Sequence, residues 1–491
     1  MAKNWSLLSL LLFTQVGWAD ITGMSVERYR SPEGVDEECV ITQRMPLAQY
    51  SDKDLKQEEK FCKINLYTEK NGICPKTWST SPGTVVYDIE KSGLTPEQFS
   101  GKCLANGDQK KLQGVKKIAK FKNTMNSSGT SATYSQASLI YYHFSRYLRS
   151  LTVVPPAVYR TIDKDDHRKR VAERGFRISN GTMVKKAWEV MLAAEQNPRS
   201  YTPTNELFTE DQKRIYGIFE DGKGDRYGAE FNGIRSGGGE SQHNDFQNTA
   251  PYLALRSEQP LQNAIKEGVE KGRRDSKINA DLGKSVSDQQ MIFWMKELTE
   301  ITLMDHFFCQ QDRVGNIDFR WQWHWVENGV LKELRAKLES ANGDELARSK
   351  VNVEEVQVPA EIARFNPVLL QKTQLNDNDA GVRCSGNAYV NRAAKTKMLE
   401  KIRHYPAELY QRLMQLNADM QSRGDIHQWI SRNFDMNPKY VETITANIKD
   451  AAQILRNTCK SGKLLFDLEP EELLANSSVS PKQVDCESGR F

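Results

Sequence analysis

Apolar and polar positions along the chain follow two different rhythms, and the change between them divides the sequence. Residues 114–122, GVKKIAKFK, set Val, Ile and Phe among lysines in the manner of a half-exposed strand. A Ser/Thr/Gly-rich stretch at 123–133 predicts a loop. After it, Ile140, Phe144, Tyr147, Leu148 and Leu151 recur at helical spacing, and Pro155 and Pro156 end that helix. Two short runs, RIYGIF and RYGAEF, flank a turn-rich segment within 214–232 and predict a hairpin. Residues 233–248 are polar and glycine-rich and predict a mobile loop.

From about residue 259 onward the expected pattern is mainly helical. Ser287 followed three residues later by Gln290 opens a helix whose apolar stripe runs Met291, Trp294, Met295, Leu298, Ile301 and Phe308. Asp305 falls on that same stripe. Further helices are expected at 391–420 and 438–457. Residues 20–105 carry turn clusters and predict a loop-rich, cysteine-containing extension. The last residues, 461–491, predict a poorly ordered tail tethered by Cys486.

Composition narrows the class. With 491 residues, 38% hydrophobic positions and 9% aromatics, the chain supports a sizeable core and is not a disordered polymer. Lys plus Arg number 68 against 64 Asp plus Glu, and the two signs are interspersed, which argues against a nucleic-acid partner. Residues 1–19 read as an export signal: Lys3, an apolar run from Leu7 to Phe13, then Gly17-Trp18-Ala19. No other stretch is apolar for long enough to insert stably in a membrane. The eight cysteines all follow that leader, as expected in an oxidising compartment, periplasmic or secreted. The expected pairing joins the first four among themselves and Cys309 to Cys384. The domain reading is then 1–19 signal peptide, 20–105 extension, 106–258 small β-rich lobe, 259–460 helical lobe and 461–491 tail.

Several motifs fail on inspection. Gly283-Lys284-Ser285 ends like a phosphate-binding loop, but Ile278 stands where its first glycine belongs. Gly239-Glu240-Ser241 begins like a nucleophile elbow, with His243 in place of the closing glycine. Asp377, Asp379 and Gly381 begin like a calcium loop, but Ala388 stands at the bidentate position. No H-E-x-x-H occurs.

One constellation survives. Phosphoryl transfer requires a lysine on the nucleotide phosphates, hard oxygen ligands for a divalent cation, and an Asp beside the attacking hydroxyl. Lys122 closes the strand IAKFK, Asp312 and Asn316 lie in QQDRVGNID, and Asp377 and Asp379 lie in NDNDAGV, in that order. Taken singly, each reads as a solvated lysine, a helix C-terminal turn and a polar turn.

These segments resemble the secretory-pathway kinases of the Golgi casein kinase and Four-jointed type, and more distantly the HipA-type kinases. SLIYYHFSRYLRSLTVVPP is similar to that family's F-H-L-D-R followed by V-P-P, FKNTM to its F-K-P-M, LMDHFFCQQDRVG to its D-F-L-I-G-N-M-D-R-H-H, and DNDAGV to its D-N-G metal motif. The resemblance implies a two-lobed, α+β, atypical protein-kinase-like fold. It also implies ATP or another nucleotide with Mg²⁺ or Mn²⁺, and a protein or glycan hydroxyl as acceptor. Asp312 is then the catalytic residue, Lys122 the nucleotide lysine, and Asp377 a metal ligand assisted by Asn316 or Asp379. Asp305 is expected to be structural, holding the Asp312 loop through backbone amides or Arg313. The sequence departs from the family twice. Ser138 stands where a helix Glu pairs with the lysine, leaving Gln136 as the polar stand-in near the nucleotide. Ile317 stands where the second metal ligand falls, with Asn316 one residue early and Asp318 one late. The rival readings are a pseudokinase, a nucleotidyl-transferring relative, and an exported, disulfide-clipped binding protein without catalysis.

Overall fold

The computed structural model describes residues 23–491 except 128, 131, 223, 236–238, 275–285, 339–350, 352, 354, 355 and 385–389. The expected leader therefore lies outside the described residues. The chain is α+β, with an N-terminal sheet followed by a more helical region that holds a second sheet.

Seven antiparallel strands form the first sheet: β1 (Gly23–Arg30), β2 (Asp36–Thr42), β3 (Asn71–Pro75), β4 (Gly83–Asp88), β5 (Lys116–Asn123), β6 (Ala157–Asp163) and β7 (Arg214–Glu220), in the order β1-β2-β6-β7-β5-β4-β3. Residues 20–105 are thus no loop-rich appendage: they supply four of the seven strands. Their β signal is masked in sequence because β2 and β4 are buried along nearly their whole length, so neither shows an alternation of apolar and polar positions. Helix α1 (Asp52–Cys62) starts at Ser51, whose hydroxyl accepts from the Asp54 amide in a reciprocal capping box. Its last residue is disulfide-bonded to Cys39 on β2.

Helix α2 (Gln136–Tyr147) follows β5 and is buried at eleven of its twelve positions, because it lies between the sheet and the helical region. Tyr141 and Phe144 pack edge-on against Phe308, with ring centroids at 4.7 and 5.0 Å. Phe308 ends α3 (Asp288–Phe308), the buried axis of the C-terminal region, whose N-cap Ser287 accepts from the Gln290 amide as its sequence predicts. Helices α4 (Ala407–Ser422) and α5 (Pro438–Lys460) pack beyond it.

The expectation of a mainly helical second half is corrected by a second sheet of β9 (Ile317–Glu327), β10 (Val330–Arg335) and β11 (Val368–Leu375), ordered β10-β9-β11. Along β9, Phe319, Trp321 and Trp323 turn to the core, while Asp318, Arg320, Gln322 and His324 share the opposite face. The predicted hairpin at 214–232 is also corrected. Its second arm, β8 (Asp225–Arg226), pairs with β9, because β7 already has β5 and β6 on its two edges. The segment therefore crosses from one sheet to the other. The polar stretch 233–248, expected as a mobile loop, carries a helix at Gly239–Phe246.

Strand β11 has a protected outer edge. Gln290 of α3 exchanges two hydrogen bonds with the Gln371 backbone, and Glu297 accepts from the Thr373 amide and hydroxyl. Val153 bridges the same edge through the Thr373 carbonyl and the Leu375 amide. These bonds fix where the chain leaves β11, and so where Asp377 begins.

Four disulfides, Cys39–Cys62, Cys74–Cys103, Cys309–Cys384 and Cys459–Cys486, account for every cysteine; the first four cysteines pair among themselves and Cys309 pairs with Cys384 as expected. They point to an oxidising compartment. The C-terminal segment, expected as a poorly ordered tail, contains the helix Pro470–Asn476, with Leu468 and Leu473 buried. Among the described residues no helix is long and apolar enough to cross a membrane.

Candidate functional site

Lys122 sits next to last on β5, where the antiparallel register brings its neighbour Lys120 opposite Glu220 of β7. It is buried, and its Nζ lies 3.0 Å from Glu220 Oε1, 3.0 Å from Asp379 Oδ1 and 3.1 Å from Asp377 Oδ1. One ammonium thus gathers three carboxylates, two of them more than 250 residues away in sequence. Burial opposes its charge, but Asp379, Glu220 and Asp377 outweigh burial and hold the lysine well above its ordinary pKa.

The two acids come from the turn after β11. Asp377 takes a left-handed backbone conformation, φ 52° and ψ 40°, which ends the strand and begins a short helical turn over Asn378–Ala380. The Tyr134 amide donates to the Asp379 carbonyl and ties this turn to the start of α2. Burial pushes the Asp377 carboxyl up, yet Lys122, Lys76 and Lys120 together hold it well below the usual carboxylate range.

The Asp312 loop lies beside this cluster because Cys309, just before it, is bonded to Cys384, just after the Asp377 turn. Gln310 stitches the two segments: its Oε1 accepts from the Asp312 amide at 3.0 Å, and its Nε2 donates to the Asp377 carbonyl at 3.4 Å. Arg313 completes the seam. Its guanidinium pairs with Asp305 at 2.8–2.9 Å and donates to the Asn376 carbonyl and to Asn378 Oδ1. Asp305 also accepts from Tyr141 at 2.8 Å, so it anchors the loop to α2 and α3 as expected.

The Asp312 carboxylate is half exposed and pairs with Arg235 at 2.5 Å. Its pKa is raised, burial and the Asp377 charge prevailing over Arg235. Asn316 donates to the Asp312 carbonyl at 2.7 Å, while its own oxygen accepts from Arg226 at 2.6 Å. Arg226 also pairs with Asp318 at 2.7 Å and lies 3.9 Å from Asp377 Oδ2. The acceptor oxygen of Asn316 is therefore engaged by Arg226 on β8, which also approaches Asp377. Gln136 is not among the partners of Lys122; its Oε1 accepts from the Ser135 hydroxyl.

Two members were not foreseen from the sequence. Glu220 lies beside Lys122, and its only signal was an acid closing an apolar strand. Lys76 follows β3, is buried, and feels both Asp377 and Asp379. Burial, with Lys122 and Lys120 nearby, pushes it down to about 8. Its Nζ reaches Ser81 Oγ across the β3–β4 loop at 3.5 Å.

Three carboxylate oxygens converge on the point held by the Lys122 ammonium, with Lys76 and Lys120 adding positive charge nearby. That donor chemistry fits a hard divalent ion. Among the described residues, however, no three His, Cys, Asp or Glu side chains are already arranged to hold a metal. No family model, curated protein or solved structure matches the chain.

Proposed function

We propose that the protein is an exported, periplasmic or secreted, kinase-like phosphotransferase that moves the γ-phosphoryl of a nucleotide to a protein or glycan hydroxyl. In this reading the seven-stranded sheet with α2 forms the smaller lobe, and the helical region with its second sheet forms the larger. The observation that carries it is the meeting of Lys122 with Asp377 and Asp379 in one buried cluster, stitched to the Asp312 loop.

Mg²⁺ or Mn²⁺ bound with ATP supplies neutralisation of charge on the transferring phosphoryl group. Asp377 and Asp379 are the residues that would hold the cation, with Glu220 retained as the partner of Lys122. Lys122, relieved of its two aspartates, is then directed to phosphate oxygens. Lys76, on the loop between β3 and β4, adds a second cation whose charge is present near neutrality and is reinforced by an approaching anion. Asp312 is suited to take the acceptor proton, since its half-exposed carboxylate has a raised pKa.

A second reading, nucleotide binding without transfer, is favoured by one observation: Arg235 already occupies the Asp312 carboxylate. The two part experimentally. The phosphotransferase reading expects ATP with Mg²⁺ or Mn²⁺ to raise the melting temperature and labelled γ-phosphate to reach an acceptor. It expects Asp312→Ala to abolish transfer while leaving binding intact. Stabilisation by ATP with no transfer from either the γ- or the α-position would leave the non-catalytic reading standing, and label moving from the α-position would indicate nucleotidyl transfer. Absence of any nucleotide effect would overturn all three.

A further inference from the structure

The second sheet sends one cation into the seam between the Asp312 loop and the Asp377 turn. Arg226 stands on β8, directly across from Asp318 of β9 in the antiparallel register. The chain enters β8 so close to β9 that Gly224 has no room for a side chain, since a Cβ there would meet Asp318 Cβ at 2.7 Å. Gly222 is packed in the same way against Asn376. Register and close approach together fix the Arg226 backbone beside both loops of the candidate site.

Two of the three guanidinium nitrogens are committed. Nε pairs with Asp318 Oδ1 at 2.7 Å, and Nη1 donates to Asn316 Oδ1 at 2.6 Å and to the Gly315 carbonyl. Nη2 makes no hydrogen bond among the described residues. It lies 3.9 Å from Asp377 Oδ2, and the side chain is 44% exposed. Asp377 therefore stands between two cations, with Oδ1 3.1 Å from the Lys122 ammonium and Oδ2 toward Arg226.

Asn316 and Asp318 are the two oxygen-bearing side chains that flank the expected place of a second metal ligand. Both are buried, and each gives an oxygen to Arg226. The other Asp318 oxygen accepts from Asn376. A hard divalent ion needs several oxygen ligands, and the two available here already hold a positive charge. Where a phosphotransfer site uses two ions, both serve to neutralise charge on the phosphates. A guanidinium fixed on one side, with N–H groups left on the other, supplies charge and planar donors suited to phosphate oxygens.

We infer that Arg226 takes the place of a second divalent cation. The site binds its nucleotide with one ion, at Asp377 and Asp379, and Arg226 Nη2 donates to the phosphate chain. Asn316 and Asp318 are then positioning residues that hold the guanidinium, and not metal ligands. This rests on the phosphotransferase reading, because it assigns a residue within that nucleotide site.

The test counts ions. The full mature chain, with an equimolar non-hydrolysable imido analogue of ATP, is titrated with Mn²⁺, and the free ion is read by electron paramagnetic resonance. Wild type is expected to bind one Mn²⁺ per chain. Arg226→Ala uncovers Asn316 and Asp318 and is expected to bind two. Should that variant fail to fold, the wild-type count decides alone. With labelled γ-phosphate, Arg226→Ala is expected to lose about a hundredfold in kcat at low Mn²⁺. Raising Mn²⁺ should recover most of that loss, which it would not do for a residue that only supports the fold. Two ions in wild type, or one ion in both folded proteins, overturns the inference and leaves the phosphotransferase reading in place. No nucleotide-dependent Mn²⁺ binding in either protein overturns both.

Discussion

Two buried charge clusters share the short stretch of chain around Asp312 and Asp377, and they are balanced in opposite ways. At Asp305 one carboxylate meets one guanidinium, and the remaining donors and acceptors are answered by Tyr141, the Asn376 carbonyl and Asn378. At Lys122 one ammonium meets three carboxylates. The first arrangement is closed: neither partner has a reason to exchange. The second joins three acids by contact to one lysine, with Lys76 and Lys120 adding charge from further away, and any additional cation competes for the acids. Both are tied by hydrogen bonds, so what separates them is how many partners each cation holds.

The largest expected effect comes from breaking the closed pair. Asp305→Ala leaves Arg313 buried at 1% exposure with no countercharge, and a loss of about 3–5 kcal/mol is expected in chemical denaturation. Because the pair is structural, the loss should be the same with and without ATP and divalent cation. A loss that ligand restores in full would place Asp305 among the functional residues.

Glu297 shows a third way to bury an acid. It accepts from Thr373, and burial first, with the neighbouring Glu300 adding, raises its pKa to about 8. A carboxyl whose folded pKa lies above its unfolded value favours the folded state at low pH, and this contribution is lost as pH rises from about 4.5 through about 8. Its share of the slope is at most about 1.4 kcal/mol per pH unit. Glu297→Gln should flatten stability over that window in a denaturation series, and an unchanged slope would refute the assignment.

Lys122→Met is expected to cost about 3–5 kcal/mol at neutral pH as well, because Glu220 and Asp379 stay buried without their ammonium. Asp377 alone is partly exposed and can recover charge stabilisation from water. The sign of the pH effect follows from the depressed Asp377 pKa. In the wild type that depression contributes stability above the ordinary carboxylate pKa and loses it as pH falls below about 4. In the variant the contribution is absent and the clustered acids protonate more readily. The gap between the two proteins should therefore stay level from pH 7 to 5 and shrink as pH falls through about 4.

How far the sequence exposes these differences depends on where each partner comes from. Asp305 and Arg313 are close in the chain, and an Asp on an apolar helical stripe already demands a buried partner, so their pairing is legible. Lys122, Asp312 and Asp377 are legible through motif order, which carries no information on charge balance. Glu220 and Lys76 escape for a physical reason. They reach the cluster through strand register in a sheet whose first four strands read as loops, and register is a non-local property. The second sheet is the opposite case. The alternation IDFRWQWHWVE is plain along β9, with tryptophans on one face and polar residues on the other. It is overlooked when the strong helical stripe of the preceding segment sets the expectation for everything that follows. The lining of a polar cleft on the second sheet is spread over α1, the exit of α2 and three strands, so no local pattern announces it.

The smallest expected effect on stability is the most discriminating. Asp379→Asn removes one of the three acids around Lys122 while keeping size and an oxygen acceptor. Two carboxylates still satisfy the lysine, and the repulsion among three acids is relieved. The change in folding stability should therefore fall within about 1 kcal/mol and in either direction. A purely structural cluster predicts nothing further. A cluster built to exchange its lysine for a divalent cation predicts that the variant loses most of the stabilisation given by ATP with Mg²⁺ or Mn²⁺, measured as the shift in melting temperature at saturating ligand. Retention of the full shift would mean that Asp379 takes no part in cation binding, and the contrast drawn between the closed and the open cluster would then rest on Asp377 alone.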